Sequence, residues 1–221
     1  MKGMCLVPLT LLFVLFMFAG CATKGPVGSG IPHGEKMQTH PADDRALLYV
    51  NQQVPKKTYT RFIVEPVTIY EGEDNGFGDI PAVDRRMMAD FTRNEVIRVI
   101  GEKYMVVNRP GPDTMRIKLI LVGVEKTKTV MRGLTYGNPM GLIMNLGKGA
   151  AGREGAFMGW VTLAGEFEDT ETGMLLAAFM GKIHPFAMDL SFSPWDAAKE
   201  GVSKFAKDLR DAIDRKQATS Q

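Results

Sequence analysis

The groups in this sequence that could do chemistry are few. They are two carboxylates two positions apart (Glu166 and Glu168), three histidines, a glycine-rich stretch with Lys148, a methionine pair, and Cys21 behind an apolar run. On a strand, Glu166 and Glu168 share one face. A glycosidase pair needs more, because its carboxyls must converge across a cleft with separated pKa values. Neighbouring strand carboxylates are ordinarily a solvated face, and here they are expected to pair with Lys126 or Lys128 on an adjacent strand. GKGAAG at residues 147–152 has the GxGxxG spacing, which holds a dinucleotide only where a strand enters it and a helix leaves it; here a hairpin strand follows. A phosphate-binding loop fails too, since Leu142 stands where it needs glycine and Gly149 where it needs Ser or Thr. Met140 and Met144 would align two thioethers on a helix, yet no third sulfur or histidine lies at metal spacing. His33 and His40 fall in a polar stretch and His184 stands alone before Pro185, so a zinc site or a Ser, His, Asp constellation has no local support. No catalytic, cofactor or metal residues are expected.

Cys21 is the exception, because its surroundings have a pattern. Basic Lys2, an apolar run over residues 6–19 and the small Gly20 are the parts of a secretory leader, and the run falls short of the about 20 residues a permanent spanning helix needs. Residues 1–20 are therefore expected to be removed. The segment FAGC at residues 18–21 resembles the bacterial lipobox, with Phe18 where Leu is more usual. That resemblance implies acylation of the Cys21 thiol, and Ala22 resembles the outer-membrane sorting signal of Gram-negative lipoproteins. The expected address is the outer membrane, periplasmic side, with the membrane engaged through an N-terminal lipid. Cys5 leaves with the leader, so no disulfide is expected in the mature chain.

Composition narrows the partners. Lys and Arg number 27 against 25 Asp and Glu, too even for a nucleic-acid footprint. Residues 21–45, rich in Gly, Pro, Ser and charge, read as a flexible tether with a root-mean-square reach of roughly 25 to 30 Å. Residues 46–221 read as a single domain, entered through a short helical or irregular segment at 46–57.

Within that domain, YTRFIVEPVTIY at 59–70 reads as a strand, with Pro66 marking an edge, bulge or bend. A helix with Pro81 in its first turn runs to about Ile100, buries Met88, Thr92 and Val96, and can end on a left-handed Gly101. YMVVN and MRIKLILVG read as strands joined in a hairpin by RPGPDT; Met115, Ile117, Leu119 and Leu121 alternate with Arg116 and Lys118. DTETG is the turn of a second hairpin over residues 156–181. A last helix, capped by Ser193 and Pro194, carries an apolar stripe of Trp195, Ala198, Val202, Phe205, Leu209 and Ile213. The expected fold is α+β, an antiparallel-rich sheet built from hairpins with two main helices packed on one face. Between Met131 and Trp160 composition shifts sharply to glycine around an apolar centre. Leu142, Ile143, Met144 and Leu146, with Lys148 and Arg153 behind them, are candidates for contact with an envelope protein partner.

VEPVTIY at 64–70, RPGPDTMRIKL at 109–119, GREGAFMGWVTLAGEFEDTETGMLLAAF at 152–179 and the helix beginning PWDAA together resemble a family of bacterial lipoproteins catalogued as domain of unknown function 3313. The resemblance implies an envelope lipoprotein without assigned chemistry and carries no functional residues over. The expected role is non-catalytic binding or scaffolding in the periplasm. The alternatives are a small-molecule or lipid carrier, or a hydrolase whose site assembles only in three dimensions.

Overall fold

The computed structural model describes residues 30–41, 43–54, 57–125, 159–183 and 195–218. In chain order they form β1 (Gln38–His40), β2 (Asp43–Val50), β3 (Arg61–Val64), β4 (Thr68–Ile69), α1 (Ala82–Gly101), β5 (Met105–Val106), β6 (Thr114–Glu125), β7 (Trp160–Asp169), β8 (Leu175–Ile183) and α2 (Asp196–Ala218), with a 3-10 turn at Gly34–Lys36. The strands make one 8-stranded sheet ordered β1-β2-β8-β7-β6-β3-β5, with β4 also on β6. Pairing is antiparallel from β1 through β6, whereas β3, β4 and β5 are parallel to their neighbours. With two helices on one face, this is the expected α+β architecture.

Alternation in β6 decides which face is covered. Ile117, Leu119 and Leu121 are buried toward the helices, while Arg116 and Lys118 point to the opposite face. Against that apolar face α1 sets Met88, Val96 and Val99, and α2 sets Ala198, Val202, Leu209 and Ile213. Burying each such aliphatic side chain is worth roughly 1.5–3 kcal/mol for the larger ones, so this layer dominates stability. The helices are also joined beyond α1. There the Tyr104 hydroxyl donates to Asp214, and Arg210 pairs with Glu102 at 2.6 Å. Burial first, and then the carboxylate of Asp214, push the Tyr104 hydroxyl up to about 12.

The DTETG turn forms the expected hairpin between β7 and β8. Gly173 takes the left-handed backbone (φ 69°) that the turn demands, Asp169 N–H donates to Met174 O (3.0 Å), and Gly173 N–H donates to Asp169 O (2.9 Å). Other expectations need correcting. RPGPDT does not join a hairpin: β5 and β6 both run parallel to β3 on its two sides, and Asp113, at φ 51°, returns the chain so that Thr114 sits beside Arg61. The single strand expected over 59–70 is two, β3 and β4, separated at Pro66, which is the bend among the alternatives read there, since β3 lies between β6 and β5. Pro81 caps α1 from just outside, and Gly101 is its last residue, followed by Glu102 in right-handed helical backbone.

The N-terminal side differs most. Strands β1 and β2 occupy residues expected to be tether and irregular lead-in, and Ile31 is buried against Val122 and Ala164 on the face away from the helices. The physical reason is that these residues join a sheet that already exists. Leu47 pairs with Met180 and Leu48 with Phe179, and the ladder to β8 satisfies backbone groups that a free segment would leave to water. Local apolar content therefore underestimates what such a segment can order.

Candidate functional site

The face of the sheet away from the helices carries a row of charge. The register sets Arg116 opposite Glu168 and Lys118 opposite Glu166. Lys118 nevertheless reaches diagonally to Glu168 (2.5 Å), and Arg116 Nε lies 3.1 Å from Glu65 Oε1, with its Nη1 3.8 Å from Glu168. Glu166 is left facing the N-terminal segment. Its side chain is 10% exposed, and His33 Nε2 stands 3.5 Å from Oε1, in reach but not aligned as a hydrogen bond. His33 has φ 57°, in the left-handed region uncommon outside glycine, and it introduces the 3-10 turn. The row is a set of compensating charges across strands, each pair worth roughly 0.2–1 kcal/mol.

Where the row meets the C-terminal ends of β3 and β5 there is a cleft of about 580 Å³. Arg116 and Glu65 stand at its sheet side, Arg93 enters from α1, and Ile63, Pro66 and Val106 supply apolar wall. Both Nε atoms are buried: that of Arg93 has no hydrogen-bond acceptor, and that of Arg116 has Glu65 Oε1 at 3.1 Å, in reach but not aligned as a hydrogen bond. Helix α1 places Arg93 there because it follows the buried Met88 and Ala89 by about one turn, on the flank of the helix's apolar stripe.

A second polar cluster closes the β7–β8 hairpin. Asp169, 4% exposed, accepts hydrogen bonds from Lys57 Nζ (2.9 Å), the Tyr59 hydroxyl (3.0 Å), the Thr172 hydroxyl (3.0 Å) and the N–H groups of Glu171 (2.9 Å) and Thr172 (2.8 Å). Burial alone would raise this carboxyl. The bonds from Lys57, Thr172 and Tyr59 outweigh it and hold Asp169 well below the usual carboxylate range. The Lys57 ammonium is pushed up by its bonds to Glu171 and Asp169, and the Tyr59 hydroxyl by burial and by Asp169. Every donor here serves the turn, so the cluster is structural.

The family model for proteins of unknown function (DUF3313) matches residues 29–209, most of the chain and every described strand. The chain belongs to this family. No curated protein matches it in sequence. Among solved structures, the PelC dodecamer from Paraburkholderia phytofirmans is 8% identical over 78% of this chain and 95% of that chain, with a TM-score of 0.40. Protein XCC0632 from Xanthomonas campestris, of family DUF330, is 6% identical over 77% of this chain and 94% of that chain, with a TM-score of 0.42. Likenesses this distant carry no functional argument.

For this DUF3313 chain, Cys21 and the candidate contact residues Leu142, Ile143, Met144, Leu146, Lys148 and Arg153 lie outside the described residues, as do Met140, His184 and the GKGAAG stretch. Glu166 and Glu168 share a face as expected, but Glu168 pairs with Arg116 and Lys118, from the same β6 alternation that shapes the core. Lys126 and Lys128, their expected partners, also lie outside the described residues. Sequence reasoning passed over Arg93 and Glu65. The available signals were a charge on the flank of an apolar helical stripe and a carboxylate directly before Pro66. No helix among the described residues is long and apolar enough to cross a membrane.

Proposed function

We propose that this protein is held to the outer membrane, on its periplasmic side, by acylation of Cys21, and that it acts there by binding or scaffolding rather than by catalysis. The observation that carries this reading is the leader itself: Lys2, the apolar run 6–19 and Gly20 directly before the thiol. The position of the first packed residue among those described fits it. Ile31 is buried about ten residues beyond Cys21, so the linking chain spans at most roughly 35 Å when extended. That brings the domain nearer the headgroups than a tether running to residue 45 would. Two or more acyl chains anchor stably where a single one holds only marginally. A scaffold would meet its envelope partner through Leu142, Ile143, Met144 and Leu146, with Lys148 and Arg153 alongside, the apolar centre of the glycine-rich stretch.

Expressing the full chain and its Cys21→Ser variant with labelled palmitate tests the anchor. The native chain is expected to incorporate label, lose residues 1–20 and sediment with membranes; the variant should lose the label and leave the outer-membrane fraction. A mature protein beginning at Met1, or label retained by the variant, sinks the reading. Replacing Leu142 and Ile143 together with Asp is expected to remove copurifying envelope proteins while leaving membrane attachment intact. An unchanged set of copurifying proteins overturns the contact assignment.

A further inference from the structure

The cleft at the ends of β3 and β5 is lined by two arginines against one glutamate, Glu65. Arg116 shares its charge between Glu65 and Glu168, and Glu168 is also held by Lys118. Arg93 has no ion-pair or hydrogen-bond partner among the described residues, although its Nε is buried. A guanidinium N–H withdrawn from water without an acceptor costs stability, so folded domains ordinarily pair or expose it. Arg93 lining the cleft beside Arg116, next to apolar wall from Ile63, Pro66 and Val106, is an unmet demand for an acceptor at a space of about 580 Å³. That volume falls within the range of small-molecule sites. The planar fork of arginine matches a carboxylate or phosphate, each of which offers the in-plane oxygens that the Arg93 guanidinium lacks.

We infer that this cleft binds a small organic oxyanion, a carboxylate or phosphate monoester carrying an apolar body, with Arg93 and Arg116 taking the anionic head. Glu65 tempers the site: it occupies part of Arg116, so an entering anion must displace or share that pairing. The inference does not rest on acylation of Cys21 or on the proposed partner contact.

The test is titration of the purified full chain with benzoate and with phenyl phosphate, using neutral benzamide as control and ligand-observed NMR to separate saturable binding from partitioning. Saturable binding of at least one anion, and none of benzamide, is expected; which anion binds distinguishes a carboxylate ligand from a phosphate one. Arg93→Met should weaken that binding by about tenfold or more, and Glu65→Gln should tighten it by about threefold. The urea midpoint of Arg93→Met should equal or exceed that of the native chain, because a buried unpaired donor has been removed. Absence of saturable binding by either anion, equal binding of benzamide, or affinity unchanged in Arg93→Met overturns the inference. A lowered urea midpoint in Arg93→Met also overturns it, since Arg93 would then serve packing. Should Arg93→Met fail to fold, Glu65→Gln decides: tighter binding supports the site, and unchanged or weaker binding overturns it.

Discussion

Replacing Asp169 with Ala is expected to cost about 3–5 kcal/mol, a large share of the 5–15 kcal/mol that holds a typical domain together. The loss has three parts. The buried Tyr59 hydroxyl loses its acceptor, Lys57 loses one of its two carboxylates, and the N–H groups of Glu171 and Thr172 lose the oxygen that shapes the turn. Asp169→Asn should cost less, because its amide oxygen can still accept from the turn while the charge to Lys57 is gone. Acid sensitivity separates the two contributions. With its folded pKa depressed, Asp169 contributes stability that is complete above its unfolded value near 3.9 and is lost as pH falls below that toward the folded value. Urea unfolding at pH 7 and pH 3 should therefore show a steeper acid loss in the native chain than in Asp169→Asn. Equal acid losses would mean that the carboxylate is not what Lys57 and Tyr59 hold.

Gly123→Ala should be the next most damaging change, at about 3 kcal/mol. A Cβ at Gly123 would stand 2.7 Å from Gly76 Cα and 2.8 Å from Gly76 O. Those atoms belong to backbone that is itself pinned, since Gly76 N–H donates to Val122 O (2.9 Å) and Val124 N–H donates to Gly76 O (3.2 Å). Neither side can yield without breaking the bridge that ties the loop ahead of α1 to β6. Gly34→Ala is the matched control, because an added Cβ there meets nothing within 4 Å, and its effect should stay within about 0.5 kcal/mol. Comparable urea midpoints for the two variants would show that the Gly76–Gly123 approach is looser than the geometry indicates.

What could be read from residues alone was local. The period of two in β6 and the DTETG turn depend on neighbours in sequence, and both form as expected. The parallel placement of β5 and β6 on either side of β3 depends on a crossover through α1, which no local turn signal encodes, so RPGPDT reads as a hairpin that does not exist. The recruitment of β1 and β2 into the sheet was not legible for a related reason, because β1 is held by β2 and β2 by a ladder to β8, far along the chain. For the candidate site, the shared face of Glu166 and Glu168 was legible and their pairing was not. Arg93 and Arg116 sit on a helix and a strand that meet only once the β3–α1–β5 unit is folded, so no spacing rule could join them.

The margins of the sheet have a consequence of their own. Among the described residues, the path of strands ends in β1, three residues long, on one side and β5, two residues long, on the other. A long bare margin presents unpaired N–H and C=O groups that another molecule can extend into a ribbon, whereas margins this brief offer too few groups to template one. The short outer strands thus act as selvedges, letting a β-rich domain crowd against its own kind without being stitched into a fibre.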